Sequence, residues 1–311
     1  DWFAIVFNPS FPYRLAHMAM ASFLVSALLV AATAAFHLLK GRRDALVKKS
    51  FSMAMWMILA LAPLQMFVGD LHGLNTLEHQ PAKLAAMEGH WETNKDHGMP
   101  LYLFGIPDME AEETKYAIGI PNLGSLIMTH TLDGEVKGLK EFAPEDRPNS
   151  LVVFWSFRIM VGLGVLMILM AVLGAWLRKT DKFYDSVWLH RFALYMGPSG
   201  FIALLAGWFT TEVGRQPWVV YGVLRTKDTL SPVSAEQVGL TLIIFVMVYF
   251  IVFGVGIFYM LKLMRKGPEF IHSAPHSEQA VIQASKRPLS TIDDENDLNK
   301  ENPKQDQENQ K

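Results

Sequence analysis

Five side chains able to handle iron, protons or fixed charge lie inside or at the edges of long apolar runs: His17, Arg158, Met160, Glu212 and Arg215. An ionisable group in a membrane-length apolar run is costly to keep there, which makes each charged one a candidate for function. Imidazole nitrogen and thioether sulfur both ligate porphyrin iron, and a His/Met pair suits a low-spin, electron-transferring centre. A guanidinium forks onto carboxylates such as porphyrin propionates. Glu212 could ligate iron, pair with an arginine or move protons. Trp208, Glu212 and Arg215 follow i, i+4, i+7 spacing and share one helix face. Arg158 and Met160 are two residues apart and point to different sides, so one flat cofactor uses both alike only if Arg158 curls round.

The residues by themselves leave structural roles open. A histidine near a helix end is more often an interfacial, hydrogen-bonded group, and methionine is common helix filler. Arg158 is the stronger signal, because a mid-span arginine rarely lacks a partner. His37, near the inner end of its run, reads as interfacial. His72, His79, His90, His97 and His130 show no metal-binding spacing.

The elements that must position these groups follow from hydropathy. About 20 mostly apolar residues cross about 30 Å of hydrocarbon. Five stretches qualify, at about residues 13–39, 51–68, 151–177, 191–213 and 238–263. Basic residues orient them. Arg42, Arg43, Lys48 and Lys49 follow the first span. Arg178, Lys179, Lys182 and Arg191 follow the third, and Lys262, Arg265 and Lys266 close the fifth. With alternating spans these fall on one side, which is cytoplasmic. The long segment 70–150 is then extracytoplasmic, and His17, Arg158, Met160, Glu212 and Arg215 all sit toward that face.

Loops of such length are usually functional or disordered. This one carries Trp91, Tyr102, Phe104 and Tyr116, so at least part of it is expected to fold. Residues 80–93 (QPAKLAAMEGHWET) predict a short helix, with Pro81 near its start. The tail from 267 to 311 is dominated by Ser, Asp, Glu, Asn, Gln and Lys and is expected to be disordered and cytoplasmic. The expected fold is therefore an all-α integral membrane protein with about five transmembrane helices. It divides into a helical pair (1–69), an extracytoplasmic loop (70–150), three further spans (151–266) and the tail.

Composition agrees. Across 311 residues, 51% are hydrophobic and 19% charged, which concentrates the apolar residues in blocks. A formal net charge of −2 gives no support to a nucleic-acid partner. With 0 cysteines, disulfides, thiolate metal sites and cysteine nucleophiles are excluded. The chain begins with Asp and no signal-peptide pattern follows, so it reads as a fragment or a processed chain.

Residues 207–226 (GWFTTEVGRQPWVVYGVLRT) closely resemble the signature of subunit I of the cytochrome bd quinol oxidase family, whose hallmark is GRQPW, here Gly214 to Trp218. NPSFPYRLAHM (8–18), QPAKLAAMEGHWET (80–93) and SFRIMVGLG (156–164) resemble its histidine-bearing helix, quinol loop and methionine-bearing helix. The resemblance covers about residues 1–266. It implies that His17 and Met160 ligate the iron of a low-spin heme b, with Arg158 beside it. Glu212 then ligates a high-spin heme, with Trp208 and Arg215 adjacent, and Lys83 and Glu88 form the quinol site. It further implies a high-spin heme b and a heme d, electrons passing from quinol to oxygen, a subunit II partner with room for a small accessory subunit, contact with membrane lipid, and a bacterial inner-membrane location. The family's earlier helices, with a second histidine ligand and acidic proton-path residues, have no counterpart here. The chain is thus expected to complete the low-spin site but not the whole oxygen site. A b-type quinol dehydrogenase and a transporter are the competing readings.

Overall fold

A computed structural model describes residues 2–95, 97–229 and 232–267. The disordered-tail expectation, with His272 and His276, therefore lies outside the described residues apart from Gly267. A short α1 (Trp2–Val6) precedes α2 (Phe11–Leu39) and α3 (Ala45–His79). The segment that follows holds α4 (Pro81–Glu88), β1 (Leu101–Asp108), β2 (Glu113–Ile120) and α5 (Leu123–Thr129). Then come α6 (Ser150–Lys179), α7 (Val187–Met196), α8 (Ser199–Gly214), the small strands β3 (Trp218–Val220) and β4 (Leu224–Arg225), and α9 (Ala235–Lys266). Five segments are long and apolar enough to cross a membrane, with α7 and α8 together forming the fourth. The integral-membrane, mostly helical expectation holds.

Side-chain caps start several helices. Asp44 Oδ1 accepts from the Val47 amide at 3.0 Å, opening α3. Asn149 and Ser186 do the same for α6 and α7. Each cap satisfies a donor the helix itself cannot, worth about 1 kcal/mol. Small residues then let helices approach closely, which matters where lipid supplies no hydrophobic drive between them. Ala27, Ala31, Ala34 and Ala35 of α2 face Phe51, Ala54 and Ile58 of α3, and Met170, Leu189 and Ala193 complete this core. A Cβ on Gly200 would lie 3.0 Å from the Val25 backbone, so α8 begins in close contact with α2.

Four differences from expectation have physical causes. The second span continues to His79, because Gly69 to His79 keeps helical geometry despite its polar side chains, so His72 and His79 are helical. The fourth begins at Val187 and breaks between Met196 and Ser199, where Gly197 precedes Pro198, which has no amide to donate. The segment between α3 and α6 contains an antiparallel hairpin, β1 pairing β2 from Leu101↔Ile120 to Asp108↔Glu113. Its turn is held by Asp108 Oδ1, which accepts from the Glu110 and Ala111 amides at 2.9 and 3.0 Å.

The short helix ends at Gly89 rather than continuing to Thr93. Gly89 is left-handed at φ 65°, and a Cβ there would sit 3.0 Å from Phe154. Behind it, Thr114 Oγ1 donates to the Gly89 carbonyl at 2.6 Å and accepts from Trp91 Nε1 at 3.2 Å, pinning α4 to the hairpin. By contrast α9 has no buried residue; its last turn meets α2 where His37 Nε2 lies 2.9 Å from the Met264 carbonyl.

Candidate functional site

His17 lies in the second turn of α2 and packs on α3. A Cβ on Gly69 would come within 3.3 Å of His17 Cε1, so glycine leaves the imidazole its room. The His72 ring lies beyond it, centroids 5.9 Å apart. Gln65 Nε2 donates to the His17 carbonyl at 3.1 Å. His17 Nδ1 is buried and has no hydrogen-bond partner. A buried polar atom left unpaired costs roughly 1–3 kcal/mol, which a bound metal or donor would offset. Met160 belongs to α6 but packs on α8, where a Cβ on Gly207 would be 2.8 Å from its sulfur. The two side chains thus have different walls, α3 for His17 and α8 for Met160, and both parent helices touch α8.

Lys83 and Glu88 are both buried in α4 at 5% and 1% exposure, yet they face different neighbours. Glu88 Oε2 accepts from Arg158 Nη2 at 2.8 Å. Arg158 also donates from Nε to the Tyr102 carbonyl at 2.6 Å and from Nη1 to the Met87 carbonyl at 3.3 Å, with its guanidinium over the Phe154 ring. Arg158 therefore curls toward the segment between α3 and α6 and stitches α6 to α4 and β1. Lys83 instead lies along α8: a Cβ on Gly214 would be 3.0 Å from its Cγ. Burial, the nearby Arg14 charge and, more weakly, Arg215 push the Lys83 ammonium down to about 8 against the opposing pull of Glu212.

Glu212 and Arg215 pair at 2.6 Å and stay partly exposed. Trp208 is more than half exposed on the same helix and packs on the Phe209 ring. Past the helix, Thr226 donates to Gln216 Oε1 at 2.7 Å and to the Pro217 carbonyl, folding β4 back on the GRQPW run. Arg225 lies over the Trp218 ring and pairs with Asp146 at 2.6 Å, tying this turn to the segment that leads into α6.

A model of the family described as cytochrome bd terminal oxidase subunit I matches residues 1–268. The chain belongs to that family. It is 34% identical over 302 residues to cytochrome bd ubiquinol oxidase subunit 1 of Bacillus subtilis (strain 168), a match covering 93% of this chain and 63% of that protein. It is 29% identical over 346 residues to cytochrome bd-II ubiquinol oxidase subunit 1 of Escherichia coli (strain K12), covering 90% and 66%. The solved bd oxidase from Geobacillus thermodenitrificans superposes with a TM-score of 0.76 at 33% identity, covering 85% of this chain and 60% of that one. The chain thus spans under two thirds of the Bacillus relative's length.

At the end of the bundle that bears the GRQPW run, the structure brings Lys83 within electrostatic reach of Arg14, Glu212 and Arg215, and His72 within reach of His17 and Lys83. Glu88 and Arg158 form a separate pair on the other side of α4. Two contributors were missed from sequence. Arg14 is one helical turn before His17, a spacing that i, i+3 inspection would have found. His72, read as a loop residue, is within electrostatic reach of His17, Lys83 and Arg14. Its legible signal was its position three residues beyond Gly69.

Proposed function

We propose that this chain supplies the low-spin electron-entry site and the quinol-facing wall of a quinol:oxygen oxidoreductase of the bd type. The observation that carries the reading is the buried His17 Nδ1 without a partner, on the helix whose sequence resembles the family's histidine-bearing one. His17 and Met160 would hold the iron of a low-spin heme b, a nitrogen and sulfur donor set that suits six-coordinate iron. When bound, that heme accepts electrons singly from a two-electron donor. Glu212 is the candidate ligand of a high-spin heme, with Trp208 and Arg215 beside it. A high-spin heme b, a heme d, a subunit II, a small accessory subunit and an inner-membrane location follow from the resemblance; the basic residues beside the spans put 70–150 on the extracytoplasmic side.

The chain's own groups support quinol oxidation. A quinol gives up two protons as it loses two electrons. Glu88 is a buried carboxylate in the outer segment and offers an oxygen to one of those protons. Arg158 fixes its orientation through the 2.8 Å ion pair. Lys83, with an ammonium of about 8, can donate a hydrogen bond to an oxygen on the other side of α4 or release its own proton near neutral pH. Acid and amine therefore address two surfaces of one helix.

The test is spectroscopic. His17→Ala and Met160→Leu are each expected to diminish the reduced-minus-oxidised band of the low-spin heme in the purified protein. Full retention of that band in both variants overturns the ligand assignment. Glu88→Gln should leave the spectrum nearly intact while lowering quinol-dependent oxygen uptake per heme by about 10²-fold or more.

A further inference from the structure

A pocket of about 420 Å³ opens at the other end of the bundle, away from the proposed heme and quinol site. It is lined by Gly41 and Arg43 after α2, Tyr184 and Asp185 before α7, and His190 and Arg191 on α7, over aliphatic side chains of the last turn of α2. Since α2 ends at Leu39 and α7 starts at Val187, the pocket sits where spans give way to loops, at headgroup depth.

Its charge is unbalanced. Arg43 commits Nη1 to Asp185 at 2.6 Å, but a guanidinium has five donors, so most of its fork is uncommitted. Arg191, one turn into α7, has no hydrogen-bond or ion-pair partner among the described residues. Lys48 Nζ lies 5.6 Å from the Tyr184 ring centroid, bordering the same wall with a third cation. Asp185 is the one acid in the lining. At this depth an exposed arginine extends its guanidinium into the headgroup layer, where an anionic group can pair with it. A phosphate offers the fork geometry an arginine matches, and basic pockets between membrane helices are suited to anionic headgroups. The aliphatic floor would meet the glycerol and first methylenes of a lipid.

We propose that this pocket binds a phosphate group through Arg191 and the free donors of Arg43, supplied by an anionic phospholipid headgroup or by free phosphate. Neither source bears on the electron-transfer reading.

The purified oxidase in neutral detergent is titrated by native mass spectrometry with dioleoylphosphatidylglycerol, with dioleoylphosphatidylcholine, and separately with inorganic phosphate. Preferential retention of the anionic lipid identifies the lipid source; binding of inorganic phosphate alone at millimolar concentration identifies the free ion. Under either source Arg191→Gln should lower the bound fraction about five-fold, from about 1 kcal/mol per interfacial cation. Arg191→Lys should retain part of it. Lys179→Gln, an exposed basic residue at the same end but outside the pocket, should change nothing. The proposal fails if Arg43→Gln/Arg191→Gln binds both ligands as the native chain does, or if Lys179→Gln loses as much as Arg191→Gln. An unchanged melting temperature in each variant separates lost binding from lost fold.

Discussion

Lys83 and Glu88 share one helix and near-complete burial, but their surroundings are opposite. Glu88 has a guanidinium at 2.8 Å, and that guanidinium is itself anchored on two backbone carbonyls. Lys83 has its counter-charge, Glu212, already paired with Arg215, and Arg14 near enough to repel it. Burial of a charge with its partner builds a rigid joint. Burial of a charge among competitors instead displaces a pKa, which is the more useful outcome where protons must move.

The largest effect should come from stranding Glu88. Arg158→Met is expected to cost about 3–5 kcal/mol in thermal unfolding, because it leaves a buried carboxylate unpaired. Adding Glu88→Gln should recover much of that loss; a double-variant cost equal to the sum of the two single-variant costs would show that the two are uncoupled.

Next is the pH response of Lys83. Its folded value of about 8 lies below the ordinary 10.5, so the unfolded chain holds the proton more tightly. Below pH 8 both states carry the charge and the burial penalty is complete; stability rises as pH climbs from 8 to 10.5. A gain of about 3 kcal/mol over that window is expected. Lys83→Met should flatten it, and an unaltered slope would place the titration elsewhere.

The smaller effects test whether the two sides of α4 can be disturbed separately. Gly89→Ala forces an alanine into left-handed backbone against Phe154, costing about 1–3 kcal/mol and, on the role proposed for Glu88, lowering turnover. Gly214→Ala presses on the buried Lys83 stem, which must shift by a few tenths of an ångström, without backbone strain, and should cost about 1 kcal/mol. Thermal melts alongside oxygen uptake distinguish the two, and a larger loss from Gly214→Ala would reverse the ranking.

The five spans were legible because each is a long apolar run. The continuation of α3 to His79 was not, since Asp70, His72, Asn75 and Glu78 erase the apolar signal while doing nothing to break a helix. The hairpin was hidden for another reason. β1 carries Gly105 and Pro107 and has bulges beside Phe104, so it lacks the alternation that marks a strand. The Glu88–Arg158 pair joins residues 70 apart, and no local pattern encodes it. The divergence of Lys83 from Glu88 was readable in principle, because five positions on a helix turn the side chain by about 140°.

The bareness of α9 sets how much its sequence has to say. Since none of its side chains is enclosed by the rest of the chain, the bundle asks nothing of residues 235–266 beyond greasiness and helical propensity. Shuffling its interior apolar letters would leave every packed cluster intact. What the helix does have to place is the Met264 carbonyl, because that oxygen is where the His37 ring meets it.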